Sequence, residues 1–141
     1  MKESEKPTKD LSSDDNSGNM AHREGLETLL DLEGTVLVQE GNYWVHIRAW
    51  LVQRSQKIPH GVRYSLTLHN TAGERILGYD NAHFPTERKA NFSRVRRTRS
   101  NDHRHPYKRS ESISYEYHSA YQLLTDFFAD VDSVLKEELS S

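Results

Sequence analysis

Cysteine is absent from the 141 residues, which excludes disulfides, thiolate-bound metal and a cysteine nucleophile, and suits a reducing cytoplasm. Long hydrophobic runs are missing too. No apolar stretch approaches the roughly 18–20 residues that a membrane helix needs, and the charged N-terminus has no apolar signal core. The expectation is a soluble, cytoplasmic protein with no membrane contact. No Gly-rich phosphate loop opens a helix, which sets aside a metabolic enzyme with a nucleotide cofactor. A chain of this length with 34% hydrophobic residues supports one core and no second sizeable domain.

Charge, by contrast, is plentiful and nearly balanced, with 19 Lys plus Arg against 21 Asp plus Glu. Its distribution is uneven. Residues 86–109 hold nine basic and two acidic groups, whereas residues 110–141 hold one and seven. A local surplus of this size is an electrostatic footprint for phosphate, and equally the mark of a solvated basic loop. Residues 1–19 contain too few apolar side chains to offset their ordering entropy, and read as a disordered tail. Met20 opens a segment of ordinary globular composition, so an alternative translation start there is one reading of the tail, and the domain runs from 20 to 141.

Leu26, Leu29 and Leu30 have helical spacing within a short segment from Ala21 to Leu32. From Thr35 the period becomes two. Strands are expected over Thr35–Glu40 and Tyr43–Gln53 around a Gly41-Asn42 turn, then at Val62–His69, and after the turn at 70–73 at Arg75–Asp80. Residues 81–110 form a long polar connection, and Ile113, Tyr115 and Tyr117 alternate as a fifth strand. Ser119 with Gln122 forms a capping box before a helix whose apolar face is Ala120, Leu124, Phe127, Phe128, Val131, Val134 and Leu135. Its acidic positions Asp126, Asp130, Asp132, Glu137 and Glu138 read as a solvated surface. The fold class is therefore α+β: an antiparallel meander of about five strands packed by a long C-terminal helix.

Five stretches carry a family resemblance: LLDLEGTVLV at 29–38, HGVRYSLTLH at 60–69, GERILGYDNAH at 73–83, DHRH at 102–105, and YEY followed by QLLTDFF within 115–128. Their order and spacing resemble the TumE-like toxins of bacterial type II toxin–antitoxin modules, over roughly residues 26–138. The resemblance implies a small toxin encoded beside an antitoxin with an Xre-type helix-turn-helix domain. It brings no catalytic residues with it, so the site is argued from chemistry.

Asp80, His83, Asp102, His103 and His105 flank the basic connection. One reading is metal-free cleavage of RNA, in which one histidine takes the ribose 2'-hydroxyl proton, a second protonates the leaving oxygen, and an arginine stabilises charge on phosphorus. Asp80 or Asp102 would then hold a histidine tautomer, and no cofactor is needed. Arg94, Arg96, Arg97, Arg99 and Arg104 supply the cations. A second reading takes His103 and His105, which point the same way on an extended segment, as zinc ligands with Asp80 or His83 as the third. Magnesium fits less well, because the region holds only three carboxylates, Asp80, Glu87 and Asp102.

The polar face of the sheet is a further candidate. His46, Arg48, Arg63 and His69 alternate there with Trp44 and Trp50, a mixture suited to single-stranded RNA. Two tryptophans six residues apart on one strand are nonetheless expected to pack beneath the helix, with His46 interior beside them. Two functions follow: a ribonuclease toxin, or a nonenzymatic protein that binds nucleic acid or an acidic partner and acts by sequestration.

Overall fold

The computed structural model describes residues 23–81 and 102–140. The expected tail 1–19, residues 86–101 of the basic connection, His83, Arg94, Arg96, Arg97 and Arg99 lie outside the described residues. Helix α1 (Leu26–Asp31) leads into strands β1 (Thr35–Val38), β2 (Trp44–Leu51), β3 (Val62–His69), β4 (Arg75–Asp80), β5 (His103–His105) and β6 (Ile113–Ser114), and helix α2 (Ala120–Leu139) closes the chain. The six strands form one sheet in the order β1-β2-β3-β4-β5-β6, and every neighbouring pair is antiparallel. The α+β class and the meander stand as expected.

Among the described residues the strand count is six rather than about five, because His103–His105 pairs with β4 inside what reads as a polar connection. Ile113 and Ser114 alone form β6. Tyr115 makes one last backbone bond, its N–H to the Asp102 carbonyl at 3.1 Å, and the strand ends before Tyr117. The Tyr115 hydroxyl donates to Asp126 at 2.7 Å and its ring meets Tyr79 edge-on, while Tyr117 stacks on His60 at 3.8 Å. The alternating tyrosines mark contacts with the helix and a loop at the end of the strand.

The core lies on one face of the sheet. Val45, Ile47 and Ala49 of β2, Tyr64, Leu66 and Leu68 of β3, and Leu77 and Tyr79 of β4 pack under Leu29 and the α2 seam Ala120, Leu123, Phe127, Val131 and Val134. Leu123, absent from the expected apolar face, is fully buried, whereas Leu124 and Phe128 are half-buried flanks. The seam's spacing of three and four residues sets which row faces the sheet. Ser119 caps α2 as expected, its hydroxyl accepting the Gln122 N–H at 3.0 Å. The reciprocal bond does not form. The Gln122 side chain turns forward to Asp126 instead.

Three carboxylates of α2 latch the sheet instead of lining a solvated surface. Asp126 accepts from Tyr115, Asp130 from Tyr79 and Arg104, and Glu138 from Tyr43 and Tyr107. At the other end of α2, Gly25 adopts φ +78°, and a Cβ there would stand 2.6 Å from the Tyr121 backbone. Only glycine lets the two helices close to the 2.8 Å hydrogen bond from Tyr121 N–H to the Glu24 carbonyl.

The tryptophans overturn their expectation. They lie on the outer face, away from the helices, because the aliphatic rows of β2, β3 and β4 are in register and claim the helix side. Trp50 is 41% exposed, and Trp44 stacks in parallel on His69 at 4.0 Å. His46 shares that face and is half-buried, not interior.

Candidate functional site

The β4–β5 register pairs Asp80 with His103, Tyr79 with Arg104 and Gly78 with His105. Alternation along both strands therefore turns Asp80, His103 and His105 to the outer face together. His103 Nε2 stands 2.9 Å from Asp80 Oδ1, and His105 Nε2 stands 3.2 Å from Asp80 Oδ2. The imidazoles meet edge to face, 5.1 Å between centroids. One carboxylate thus spans two histidines. Opposite His105 there is no side chain, and the Arg75 side chain crosses that space, close enough that a Cβ on Gly78 would lie 3.4 Å from its Cδ.

Burial alone would raise the Asp80 carboxyl, but the contact with His103 and the positive field of His103, His105 and Arg75 outweigh it and hold it below its usual value. Burial lowers His105, with Asp80 opposing and Arg75 reinforcing that shift. The site is an ionised carboxylate between imidazoles, beside a guanidinium that sequence reasoning passes over. Arg75 lies 28 positions before His103 along the chain, and only the β4–β5 pairing joins them. A groove of about 490 Å³ opens from His105 between Arg75, Ile76, Tyr107, Lys108 and Arg109.

Asp102 belongs elsewhere. One position before His103, it points to the helix side, where it is 3% exposed. It accepts the Tyr64 hydroxyl at 2.7 Å and His60 Nε2 at 2.9 Å, while His60 Nδ1 accepts the Val62 N–H at 3.3 Å. That backbone bond places the His60 proton on Nε2, so Asp102 holds the tautomer of a histidine 42 residues upstream. Burial and the Asp102 charge push the Tyr64 hydroxyl well above its usual range. His60 carries no signal in the sequence beyond its place in the HGVRYS stretch.

The expected arginines separate in the same way. Arg104 faces α2, 3.0 Å from Asp130 and with its guanidinium 6.0 Å from the Tyr79 ring. Arg48 lies on the outer face, paired with Glu33 at 2.9 Å and 5.2 Å from the Trp50 ring. Arg63 stands opposite Trp50 in the register and reaches the Asn81 carbonyl at 3.5 Å.

A six-stranded meander with one face under two helices and an acid–imidazole cluster on the other defines a small α+β domain that presents chemistry from the surface of its sheet. The chain belongs to the toxin TumE family, whose family model matches residues 15–135. It is a toxin of the toxin–antitoxin kind, and an antitoxin is its implied partner. No curated protein and no solved structure matches the chain. Among the described residues no helix is long and apolar enough to cross a membrane.

Proposed function

We propose that this toxin cleaves RNA, with Asp80, His103, His105 and Arg75 as its reacting centre. The observation that carries this reading is the single Asp80 carboxylate in contact with both imidazoles, beside a groove where Arg75, Lys108 and Arg109 face Glu74 and Glu138. One imidazole accepts the ribose 2'-hydroxyl proton as that oxygen attacks phosphorus. The other gives a proton to the departing 5'-oxygen, leaving a 2',3'-cyclic phosphate and a free 5'-hydroxyl. Arg75 offers a cation for the charge that grows on the phosphoryl oxygens. Asp80 orients both rings and contributes no proton. The outer face, with Arg63, His46, Trp50 and the Trp44–His69 stack, extends from the centre as a surface for phosphates and bases.

The same aromatic and basic row favours a second reading, sequestration of RNA without turnover. Incubating purified toxin with RNA and identifying the end groups decides between them. Cyclic-phosphate products that vanish in His103→Ala and His105→Ala, at unchanged RNA affinity and fold, support catalysis. Toxicity that follows RNA affinity alone, with no product, supports sequestration.

The partner we propose is an Xre-type helix-turn-helix protein encoded next to the toxin, in the cytoplasm of a bacterium. Co-expression should give a complex stable to gel filtration, and expression of the toxin alone should arrest growth. Unimpaired growth at high expression would count against the toxic role in this chain.

A further inference from the structure

We infer that Asp80, His103 and His105 form a binding site for one divalent transition-metal ion of the zinc class. Their ligand atoms all lie within 4.8 Å of one another. Ligands about 2.0–2.2 Å from a tetrahedral zinc stand about 3.4 Å apart, and the two nitrogen-to-carboxylate distances are 2.9 and 3.2 Å. Those two separations lie within about half an ångström of the tetrahedral spacing, and the third is at most 4.8 Å, so side-chain rotation without backbone movement would seat an ion. The backbone already enforces the arrangement: two histidines two apart on one strand share a face, and the cross-strand partner of the first supplies the carboxylate.

A second observation points to a cation. Among the described residues, the buried Asp80 Oδ1 has only His103 Nε2 near it, 2.9 Å away and off the line of a well-aligned hydrogen bond. A buried carboxylate oxygen without such a bond is costly unless something positive meets it. The donor set chooses the ion. Two imidazoles and one carboxylate suit zinc, cobalt, nickel or copper, while magnesium and calcium call for more oxygen ligands. With no cysteine in the chain, no thiolate competes for the ion. The groove at His105 leaves a side open for water or an anion to complete the coordination. Arg75 opposes the ion, because its guanidinium lies across Gly78 beside the site.

This inference does not depend on RNA cleavage, but the two share atoms. With Nε2 of each ring turned to Asp80, Nδ1 is the nitrogen that meets the RNA, and a metal on Nε2 leaves the ring proton on Nδ1, so neither ring can then accept the 2'-hydroxyl proton. Metal binding and acid–base turnover should exclude each other.

The test is titration of the untagged, metal-free full chain with Co²⁺. One equivalent should produce visible ligand-field bands and raise the thermal midpoint, and Zn²⁺ should displace it. His103→Ala, His105→Ala and Asp80→Asn should each weaken binding by at least about tenfold, since even the partners of metal ligands are worth that much. Arg75→Ala should tighten it, and His118→Ala, at an exposed position outside the site, should leave it unchanged. Absence of bands up to millimolar Co²⁺ would overturn the inference. So would undiminished binding in a cooperatively melting Asp80, His103, His105 triple alanine variant. If that variant does not fold, an Arg75→Ala protein with unchanged or weaker affinity overturns it instead. Loss of RNA cleavage on adding one equivalent of Zn²⁺, reversed by chelator, agrees with both proposals. Stimulation of cleavage by Zn²⁺ keeps the metal site and removes the metal-free mechanism.

Discussion

Asp80 on β4 stands directly across the ladder from His103 on β5, and its carboxylate reaches the imidazole at 2.9 Å. The pair is held by backbone hydrogen bonds on both sides, so its geometry is a property of the sheet and not of a loop. A substitution that keeps the shape of Asp80 but removes its charge should therefore separate orientation from electrostatics. Asp80→Asn is expected to retain the melting temperature to within a few degrees. RNA cleavage should fall by about 10²–10⁴, the scale of acid–base contributions, when initial rates are measured at saturating RNA. Wild-type rates in a folded Asp80→Asn protein would remove Asp80 from the reacting centre.

The cations around the groove should act on binding. Arg75→Ala and Arg109→Ala are each expected to weaken RNA affinity and to reduce the slope of log affinity against log salt by about 0.7, the single-strand value for one phosphate contact. Fluorescence anisotropy over a salt series reads this directly. A slope unchanged in both variants would place the RNA elsewhere.

Asp102 tests the separation between two sites that adjoin in the chain, at Asp102 and His103, but lie on opposite faces of the sheet. Asp102→Ala leaves the Tyr64 hydroxyl and the His60 ring without their buried acceptor. The expected cost is about 2–6 kcal/mol, from two unsatisfied polar groups worth roughly 1–3 kcal/mol each, measured by urea unfolding. Turnover per folded molecule should be unchanged. A selective loss of turnover at full stability would bring Asp102 back into the chemistry.

Phe127 lies fully buried where α2 meets Tyr79, ring centroids 5.6 Å apart. Phe127→Ala should destabilise the domain by about 3–5 kcal/mol through lost transfer energy and the cavity left behind. A loss below 1 kcal/mol in chemical denaturation would mean that α2 is not docked as described.

Glu138 supplies the pH prediction. Hydrogen bonds from Tyr107 and Tyr43 hold its carboxyl below the ordinary 4.5, and the Tyr107 hydroxyl is correspondingly pushed up to about 12. A carboxyl lowered in the folded state binds fewer protons than the unfolded chain, so its stabilisation is complete above 4.5 and is lost as pH falls through the lower folded value. Carboxyl NMR titration should show the low value in the native protein. In the Tyr43→Phe, Tyr107→Phe double variant it should return toward 4.5, and the acid limb of the stability curve should flatten. A Glu138 that titrates at its ordinary value in both proteins would contradict the latch.

Much of this architecture is legible in the chain itself, because period and turn chemistry are local. Val62–His69 and Arg75–Asp80 are strands with the very bounds their alternation marks, and Ser119 caps α2 where the spacing to Gln122 places it. The flanking of one connection by Asp80, His83, Asp102, His103 and His105 points to a shared site, and Asp80, His103 and His105 do meet. What alternation cannot say is which side of a strand the helix will cover. A strand with aliphatics on one side and tryptophan, histidine and arginine on the other is compatible with either, and the matching aliphatic rows of three paired strands settled it. Register decided the rest. A three-residue strand such as His103–His105 has too short a period to read, yet its pairing with β4 sends His103 and His105 to one face and Asp102 and Arg104 to the other. Sequence proximity grouped those four residues together. Hydrogen bonding between strands separated them, because side chains one position apart on a pleated strand must point in opposite directions.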